Sequence, residues 1–342
     1  TWSAYAGQAA YDAILGGIST GGIVLASLAG YWSGSFANAM IMARLKRVTR
    51  GRALWLRASD GVRLRLAVWP GSNPVLILPG RTEYIEKYGL VVADLAAAGR
   101  GALVVDWRGQ GLADRALADP LKGHVGSFAE YQRDLDAVLA AAAELAPGPL
   151  MWLAHSMGGC IALSGLMRGL RPGAVAFSAP MLGLAQPKAL TTAVGLLAGL
   201  ARPLGADTGY APTTGPDYGL PSMGFEGNLL TTDPAQFARM KAQIIEDPRL
   251  SLGGPTLRWM GESLREMAAL AALPSPTVPA LFGLGGNEGI VSAGAIRDRV
   301  ARWPGAELAE YPGARHELTM ERPDVRGDVL RRALALYERH AG

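Results

Sequence analysis

A serine lies at the centre of the strongest chemical motif in the sequence, Ala-His-Ser-Met-Gly at 154–158. A nucleophilic serine needs a tight turn between a strand and a helix, and the residues two before and two after it must be small. Ala154 and Gly158 meet this need. An apolar run precedes the motif and a helical pattern follows it. The pattern predicts that Ser156 is a catalytic nucleophile, and the alternative is an ordinary turn that contains a serine.

A serine nucleophile needs a base, and the chain contains four histidines. His155 adjoins the serine, so its side chain should point away, and His340 is expected in a frayed tail. His124 precedes the serine in a glycine-flanked loop, where a structural role is expected. His316 lies in a predicted strand-to-helix loop after the serine, which fits the chain order serine, acid, histidine. We therefore predict that His316 is the base.

The third member of such a triad is an acid, which orients the imidazole and stabilises its protonated form. It is expected after the strand that precedes the strand of His316. The loop at 285–291 contains one carboxylate, Glu288, whereas Asp298 falls within the helix that follows. Glu288 is therefore the predicted acid, and the alternative is a solvated loop glutamate.

The negative oxygen of an acyl-transfer intermediate needs two backbone N–H donors. One is predicted to be the N–H of Met157, the residue after the nucleophile. The other is predicted in the loop 79–84, which follows the first predicted parallel strand. Gly80 allows a close backbone approach there, so the N–H of Arg81 is the candidate.

The predicted elements around these residues alternate between short apolar strands and helices, which is typical of a parallel sheet covered on both faces. A hairpin is predicted first, because two alternating runs flank Ser-Asp-Gly at 59–61. The strands that follow are predicted at 75–78, 102–105, 150–154, 174–177, 279–284 and 307–311. The helices between them are predicted at 84–98, 128–145, 156–168, 293–302 and 323–338.

The alternation of strands and helices stops between 181 and 273. Helical patches are predicted there at 188–201, 234–246 and 256–272, separated by stretches rich in glycine, proline and threonine. The expected fold is therefore one α/β domain, 51–180 and 274–342, with a helical cap inserted at 181–273. Residues 1–50 form a hydrophobic N-terminal extension with a basic flank.

Composition excludes several classes of protein. Of the 342 residues 49% are hydrophobic, which suits a globular core. The single cysteine, Cys160, excludes an intrachain disulfide and a multi-cysteine zinc site, and no metal or cofactor is expected. The net charge is +4, of which +3 lies in residues 1–50, so nucleic-acid binding is not expected.

The N-terminal extension contains no charged residue from 13 to 43. A membrane-spanning helix needs about 20 apolar residues, and the basic cluster at 44–52 would place the C-terminal side of the segment in the cytoplasm. A membrane anchor is therefore one prediction. The alternatives are a helix buried against the domain or a partner, and a poorly ordered extension. The expected location is cytoplasmic, and a membrane anchor would place the protein at the inner face of the cell membrane.

Four motifs stand in order along the chain and carry a resemblance to a known family. They are Pro-Gly-Arg-Thr-Glu-Tyr at 79–84, Asp-Trp-Arg-Gly-Gln-Gly at 106–111, Ala-His-Ser-Met-Gly-Gly at 154–159 and Ser-Ala-Pro-Met at 178–181. Together they resemble the monoacylglycerol lipase and lysophospholipase branch of the serine-aminopeptidase-like α/β hydrolases. Leu-Gly-Gly-Pro-Thr at 252–256 and Gly-Ala-Arg-His-Glu at 313–317 are similar to bacterial lysophospholipases in particular.

The resemblance covers about 53–338 and implies an α/β-hydrolase fold and a serine hydrolase that cleaves esters of fatty acyl lipids. Lysophospholipids or monoacylglycerols are the expected substrates. Members of the family usually carry aspartate where Glu288 stands, and often His-Gly where this chain has Pro79-Gly80. The oligomeric state is left open.

Two other functions stay open. A proline-type serine aminopeptidase would need an acidic pocket for the substrate's amino group. The cap offers five carboxylates for it, Glu226, Glu246, Asp247, Glu262 and Glu266. A non-catalytic subunit of a membrane complex would use the same fold as a scaffold.

Overall fold

The structure, a computed structural model, describes residues 51–341. Eight strands lie in this part of the chain: β1 (Arg52–Arg57), β2 (Arg63–Trp69), β3 (Ser72–Leu78), β4 (Arg100–Asp106), β5 (Met151–His155), β6 (Val175–Ser178), β7 (Ala280–Gly285) and β8 (Glu307–Tyr311). They form one sheet in the order β1-β2-β4-β3-β5-β6-β7-β8. The N-terminal extension and its predicted anchor lie outside the described residues.

The sheet is antiparallel at one edge and parallel elsewhere. β1 and β2 form the predicted hairpin, with Arg52 opposite Val68, and β2 is also antiparallel to β4. The strands from β4 to β8 along the sheet all run parallel to one another. Their predominantly apolar sequences follow from burial on both faces.

Helices cover both faces of the sheet. In the α/β core they are α1 (Gly89–Ala97), α2 (Phe128–Leu145), α3 (Met157–Met167), α7 (Ala293–Ala301) and α8 (Pro323–Arg339). Neighbouring side chains of a strand point to opposite faces, so Leu76 packs towards α2 and α3 whereas Ile77 packs towards α1 and α8. Two apolar layers therefore hold the sheet, and the carboxyl ends of its parallel strands carry the loops described below.

Three further helices lie between β6 and β7: α4 (Lys188–Ala201), α5 (Pro234–Glu246) and α6 (Leu257–Ala272). Side chains cap two of them, since Asp233 accepts from the first N–H groups of α5 and Thr256 accepts from the Trp259 N–H in α6. α4 packs closely on α6. The two helices are so near each other that a Cβ atom at Gly261 would lie 2.7 Å from that of Ala198. These helices form the segment inserted between the two parts of the core.

The helix predicted over 84–98 has a different beginning in the structure. Ile85–Tyr88 is a 3-10 turn, and α1 begins at Gly89. Tyr84 is extended, and the N–H of Ile85 donates to the Asp106 carboxylate at 2.9 Å instead of to a helical carbonyl. The hydrogen bond to Asp106 thus explains why the α-helix begins later than predicted. Within residues 51–341 no helix is long and apolar enough to cross a membrane.

Candidate active site

Ser156 lies on a sharp turn between β5 and α3. Its φ of 50° and ψ of −118° are rare for a residue with a side chain, so the turn holds it in a strained conformation. A Cβ atom at Gly158 would lie only 2.0 Å from the carbonyl oxygen of Leu78. This close approach is the physical reason for a small residue two positions after the serine.

The structure brings Ser156, His316 and Glu288 into one hydrogen-bonded line. His316 Nε2 lies 2.9 Å from Ser156 Oγ, and His316 Nδ1 lies 2.8 Å from Glu288 Oε2. The histidine follows β8 and the glutamate follows β7, which are neighbours in the sheet. The arrangement has the geometry needed to withdraw a proton from the serine hydroxyl and to stabilise the resulting imidazolium.

The Glu288 carboxylate is fixed at both oxygens. While Oε2 faces His316, Oε1 accepts the backbone N–H groups of Ile290 at 2.8 Å and Val291 at 3.1 Å. Burial tends to raise the pKa of Glu288, but the hydrogen bonds from His316 and from these two N–H groups lower it below its usual value. The glutamate is therefore ionised at neutral pH. Asp298, the other carboxylate considered from sequence, lies on α7.

Two backbone segments approach the serine. Met157 is the first residue of α3, and N–H groups in the first turn of a helix have no intrahelical acceptor. Gly80 follows β3, and a Cβ atom there would lie 3.0 Å from Ser156 Cβ. The loop that continues into Arg81 therefore approaches the serine closely. This is the place where an oxyanion would have to be bound.

A buried cluster of charges behind this loop could not be predicted from the sequence motifs. The Glu83 carboxylate accepts the N–H of Gly80 and the hydroxyl of Tyr88, the latter at 2.6 Å. Lys87 Nζ lies between Glu83 and Glu317, 2.5 Å and 2.6 Å from their oxygens. The available signals were the four-residue spacing of Glu83 and Lys87 and the position of Glu317 beside the histidine.

These charges set the ionisation of the cluster. Burial tends to raise the pKa of Glu83, but the charge of Lys87 and the hydrogen bonds from Lys87 and Tyr88 lower it to about 2. Burial lowers the pKa of His155 to about 4, so this histidine is neutral. Its Nδ1–H donates to the carbonyl oxygen of Ser178 at 2.9 Å, and the centre of its ring lies 4.8 Å from that of His316.

The cluster does not fit a metal ion. Glu83, His155 and Glu317 place their potential ligand atoms within 4.8 Å of one another. The ammonium group of Lys87, however, already bonds to both carboxylates and occupies the position of a cation between them. The three residues are better explained as a support for the loop that begins at Gly80.

His124 has the structural position that its loop suggested. Its Nδ1 lies 3.0 Å from Thr256 Oγ1, in the Leu-Gly-Gly-Pro-Thr motif of the inserted segment. The motif is bonded to the loop of His124 by its backbone as well, since Gly253 N donates to Leu121 O at 2.8 Å and Gly123 N donates to Gly254 O at 3.0 Å. The motif is therefore the joint between cap and core.

Comparison with known proteins agrees with this geometry. A family model described as serine aminopeptidase, S33, matches residues 72–323. The chain belongs to this family. It is 35% identical over 285 residues to lysophospholipase L2 of Escherichia coli K12, which covers 78% of this chain and 80% of that protein. It is 27% identical over 260 residues to a probable lysophospholipase L2 of Haemophilus influenzae, covering 75% and 81%.

Solved structures confirm the predicted α/β-hydrolase fold. A monoglyceride lipase from Saccharomyces cerevisiae aligns with a TM-score of 0.67 and 21% identity, over 86% of this chain and 98% of that one. A monoacylglycerol lipase from Paleococcus ferrophilus aligns with a TM-score of 0.63 and 20% identity, over 80% and 98%. A second family model, described as a putative vitamin uptake transporter, matches residues 1–60.

Proposed function

We propose that this chain is a serine hydrolase that cleaves carboxylic esters of fatty acyl lipids, with lysophospholipids and monoacylglycerols as substrates. The observation that carries the proposal is the hydrogen-bonded line from Glu288 through His316 to Ser156, in a chain that is 35% identical to a lysophospholipase over most of its length. The residue types and the order along the chain match an acyl-transfer triad.

In the proposed reaction Ser156 Oγ attacks the carbonyl carbon of the ester, and His316 Nε2 takes the hydroxyl proton. Glu288 stabilises the imidazolium, while the N–H groups of Arg81 and Met157 bind the negative oxygen. Collapse of this intermediate releases the alcohol, which receives the proton from His316. Water, activated by the same histidine, then cleaves the acyl-enzyme and releases the fatty acid.

The apolar character of α4 supports a lipid substrate. Residues 189–201 carry no charge, and Leu190, Leu196 and Leu200 are 53%, 67% and 72% exposed. Exposed apolar surface of this kind is typical of sites that contact lipid or other apolar partners. We infer that α4 contacts acyl chains or the lipid surface that presents them.

The cap carboxylates give weak support to an aminopeptidase. Glu262 bonds to Arg202 at 2.9 Å, and Asp247 bonds to Arg249 at 2.7 Å, so these two charges are already neutralised. Glu226 and Glu246 are exposed. Hydrolysis of a fatty acyl ester does not require a pocket for a free amino group next to the scissile bond.

Two measurements test the proposal. A fluorophosphonate probe should label the wild type but not Ser156→Ala, whereas a non-catalytic subunit would leave both proteins unlabelled. A panel of monoacylglycerols, lysophospholipids and prolyl amides should then show hydrolysis of the fatty esters. Turnover of the prolyl amides alone would establish the aminopeptidase instead.

We also propose that residues 13–43 hold the protein at the inner face of the cell membrane. The proposal is supported by the charge-free run and its basic flank, and by the match of residues 1–60 to a transporter family. Basic residues near an anionic surface add about 1 kcal/mol each to membrane binding.

A further inference from the structure

The side chain of Arg81 lies where the α/β core meets the cap. Its Nη2 donates to the carbonyl oxygen of Gly253 at 2.6 Å, and its guanidinium carbon lies 5.3 Å from the centre of the Trp259 ring. Both of these partners belong to the inserted segment. The Arg81 side chain thus extends from the predicted oxyanion loop to the cap, and its positive charge lies against residues of the cap.

Glycine provides the space for this guanidinium. A Cβ atom at Gly123 would lie 2.3 Å from Arg81 Nη2, so a side chain at this position would collide with the arginine. Gly123 also bonds to the cap, since its carbonyl oxygen accepts the N–H of Thr256 at 2.8 Å. The Leu-Gly-Gly-Pro-Thr motif and Gly123 therefore form a fixed wall that holds the guanidinium in one place.

The charge of Arg81 lacks a counter-ion within residues 51–341. The buried guanidinium groups of Arg65 and Arg108 pair with Asp106 and Asp134 at 2.7 Å. Arg81 has no ion pair of this kind, and its Nε is buried with no hydrogen-bond partner. Burial lowers its pKa to about 10, which leaves it charged at neutral pH. Arg299, another buried arginine without an ion pair in the described part of the chain, directs both terminal nitrogens at backbone carbonyl oxygens, whereas the buried Nε of Arg81 is left without an acceptor. An unused donor on a buried cation points to an anionic ligand.

The Arg81 side chain is also comparable in length with the glycerol unit of a lysophospholipid. The backbone N–H of Arg81 is the proposed oxyanion donor, so the ester carbonyl and the guanidinium are separated by one arginine side chain. In a lysophospholipid the glycerol unit separates the ester carbonyl from the phosphate by a comparable number of bonds. A monoacylglycerol has an uncharged hydroxyl group in the place of that phosphate.

We propose that the guanidinium of Arg81 binds the phosphate of a lysophospholipid and so makes the chain prefer this substrate class over neutral monoacylglycerols. This inference rests on the proposed ester hydrolase function. The planar guanidinium of arginine matches phosphate oxygens with parallel N–H donors, and the unbonded Nε is one of those donors. Arg81 thereby combines a backbone role at the reacting oxygen with a side-chain role in specificity.

A ratio of rates tests the proposal, because any change at position 81 can also disturb the oxyanion loop. The kcat/KM for 1-oleoyl-lysophosphatidylethanolamine is divided by that for 1-monooleoylglycerol, both in the same detergent micelles. Arg81→Met should lower this ratio by about tenfold to a hundredfold, the effect of losing a charge-assisted hydrogen bond. Arg81→Lys should retain part of the preference. An unchanged ratio in Arg81→Met would overturn the proposal.

Arg115 provides a matched control. It also bridges core and cap, since its Nη2 donates to the carbonyl oxygens of Gly111 at 2.8 Å and Arg249 at 3.0 Å. The N–H groups of its guanidinium donate to backbone carbonyl oxygens, and Arg115 is not part of the proposed oxyanion loop. Arg115→Met should therefore loosen the contact between core and cap without changing the ratio. An equal fall of the ratio in this variant would show that Arg81 acts only through the contact with the cap.

Binding of uncleavable ligands separates this inference from the proposed function. A short-chain ether lysophospholipid and the matching ether glycerol, both below their micelle-forming concentrations, are titrated calorimetrically. Tighter binding of the phosphate ligand to the wild type but not to Arg81→Met would support the inference even if no ester were hydrolysed. Equal binding of the two ligands to the wild type would overturn it even if both esters were cleaved. Glycerophosphoethanolamine should bind weakly, and binding as tight as that of the ether lipid would assign the site to free phosphodiesters.

Discussion

Glu288 Oε2 and His316 Nδ1 are 2.8 Å apart, and both side chains are almost fully buried. Glutamate is one methylene longer than the aspartate that members of the family usually carry at this position. Two backbone N–H groups hold its second oxygen in place. The extra length is thus accommodated by the loop after β7 without loss of the hydrogen bond. The relationship explains how a glutamate at this position reaches His316.

Replacement of the nucleophile should abolish ester hydrolysis. Ser156→Ala removes the attacking oxygen, and loss of a triad serine costs on the order of 10⁶ in kcat. Circular dichroism should show an intact fold. Ser164→Ala, on the same helix, is the control and should keep wild-type activity. Activity of Ser156→Ala within tenfold of the wild type would assign the nucleophile elsewhere.

Replacement of the proposed acid should reduce kcat less than replacement of the proposed base. Glu288→Gln keeps the shape of the side chain but loses the charge that stabilises the imidazolium, so we expect a loss of about 10⁴ in kcat. His316→Ala removes the base and should cost on the order of 10⁶. Steady-state kinetics on one soluble ester compares the variants. Wild-type activity in Glu288→Gln would move the acid to another carboxylate.

The buried lysine should matter more to stability than an exposed one. Lys87→Met leaves Glu83 and Glu317 buried without their shared cation, and breaking a buried ion pair costs about 3 to 5 kcal/mol. Urea unfolding measures this loss. Adding Glu317→Gln should restore part of it, because one stranded charge is removed. Lys188→Met, at the exposed start of α4, should change the free energy of unfolding by less than about 0.5 kcal/mol.

Substitution by alanine should be harmful at one glycine and stabilising at another. A Cβ atom at Gly158 meets the backbone of Leu78 at 2.0 Å, so Gly158→Ala should distort the turn and remove activity. Gly327 lies inside α8 with nothing within 4 Å of its Cβ position. Gly327→Ala should therefore raise the free energy of unfolding by roughly 0.5 to 1 kcal/mol. Thermal unfolding and esterase assays of the two variants check both statements.

Deletion of residues 1–43 should release an active hydrolase. The proposed triad and both oxyanion donors lie beyond this segment, so esterase activity should be kept. The longer chain should sediment with membranes and stay there in a high-salt wash, because apolar insertion is not screened by salt. Release by salt would indicate a peripheral electrostatic contact. Equal solubility of the two chains would contradict the membrane proposal.

Local pattern was sufficient to predict most of the elements and to propose the residues of the triad. The helices at 188–201, 234–246 and 128–145 have the predicted bounds, because amphipathic spacing, caps and prolines act within a few residues. Ser156, His316 and Glu288 could be named from their places after three strands, since the carboxyl ends of parallel strands meet at one edge of a sheet.

The surroundings of these residues were decided by tertiary structure. The contacts that join Lys87 to Glu317 and Arg81 to Gly253 span more than 150 residues of chain, and no local spacing signals them. The Asp106 carboxylate that shortens the predicted helix at 84–98 lies outside that helix, 21 residues along the chain from Ile85 and on another element, β4. The sequence by itself determined most of the strands and helices and the tight turn at Ser156, because those preferences are local. Only the packed structure decided which buried charges are paired, because burial and distance arise from the whole fold.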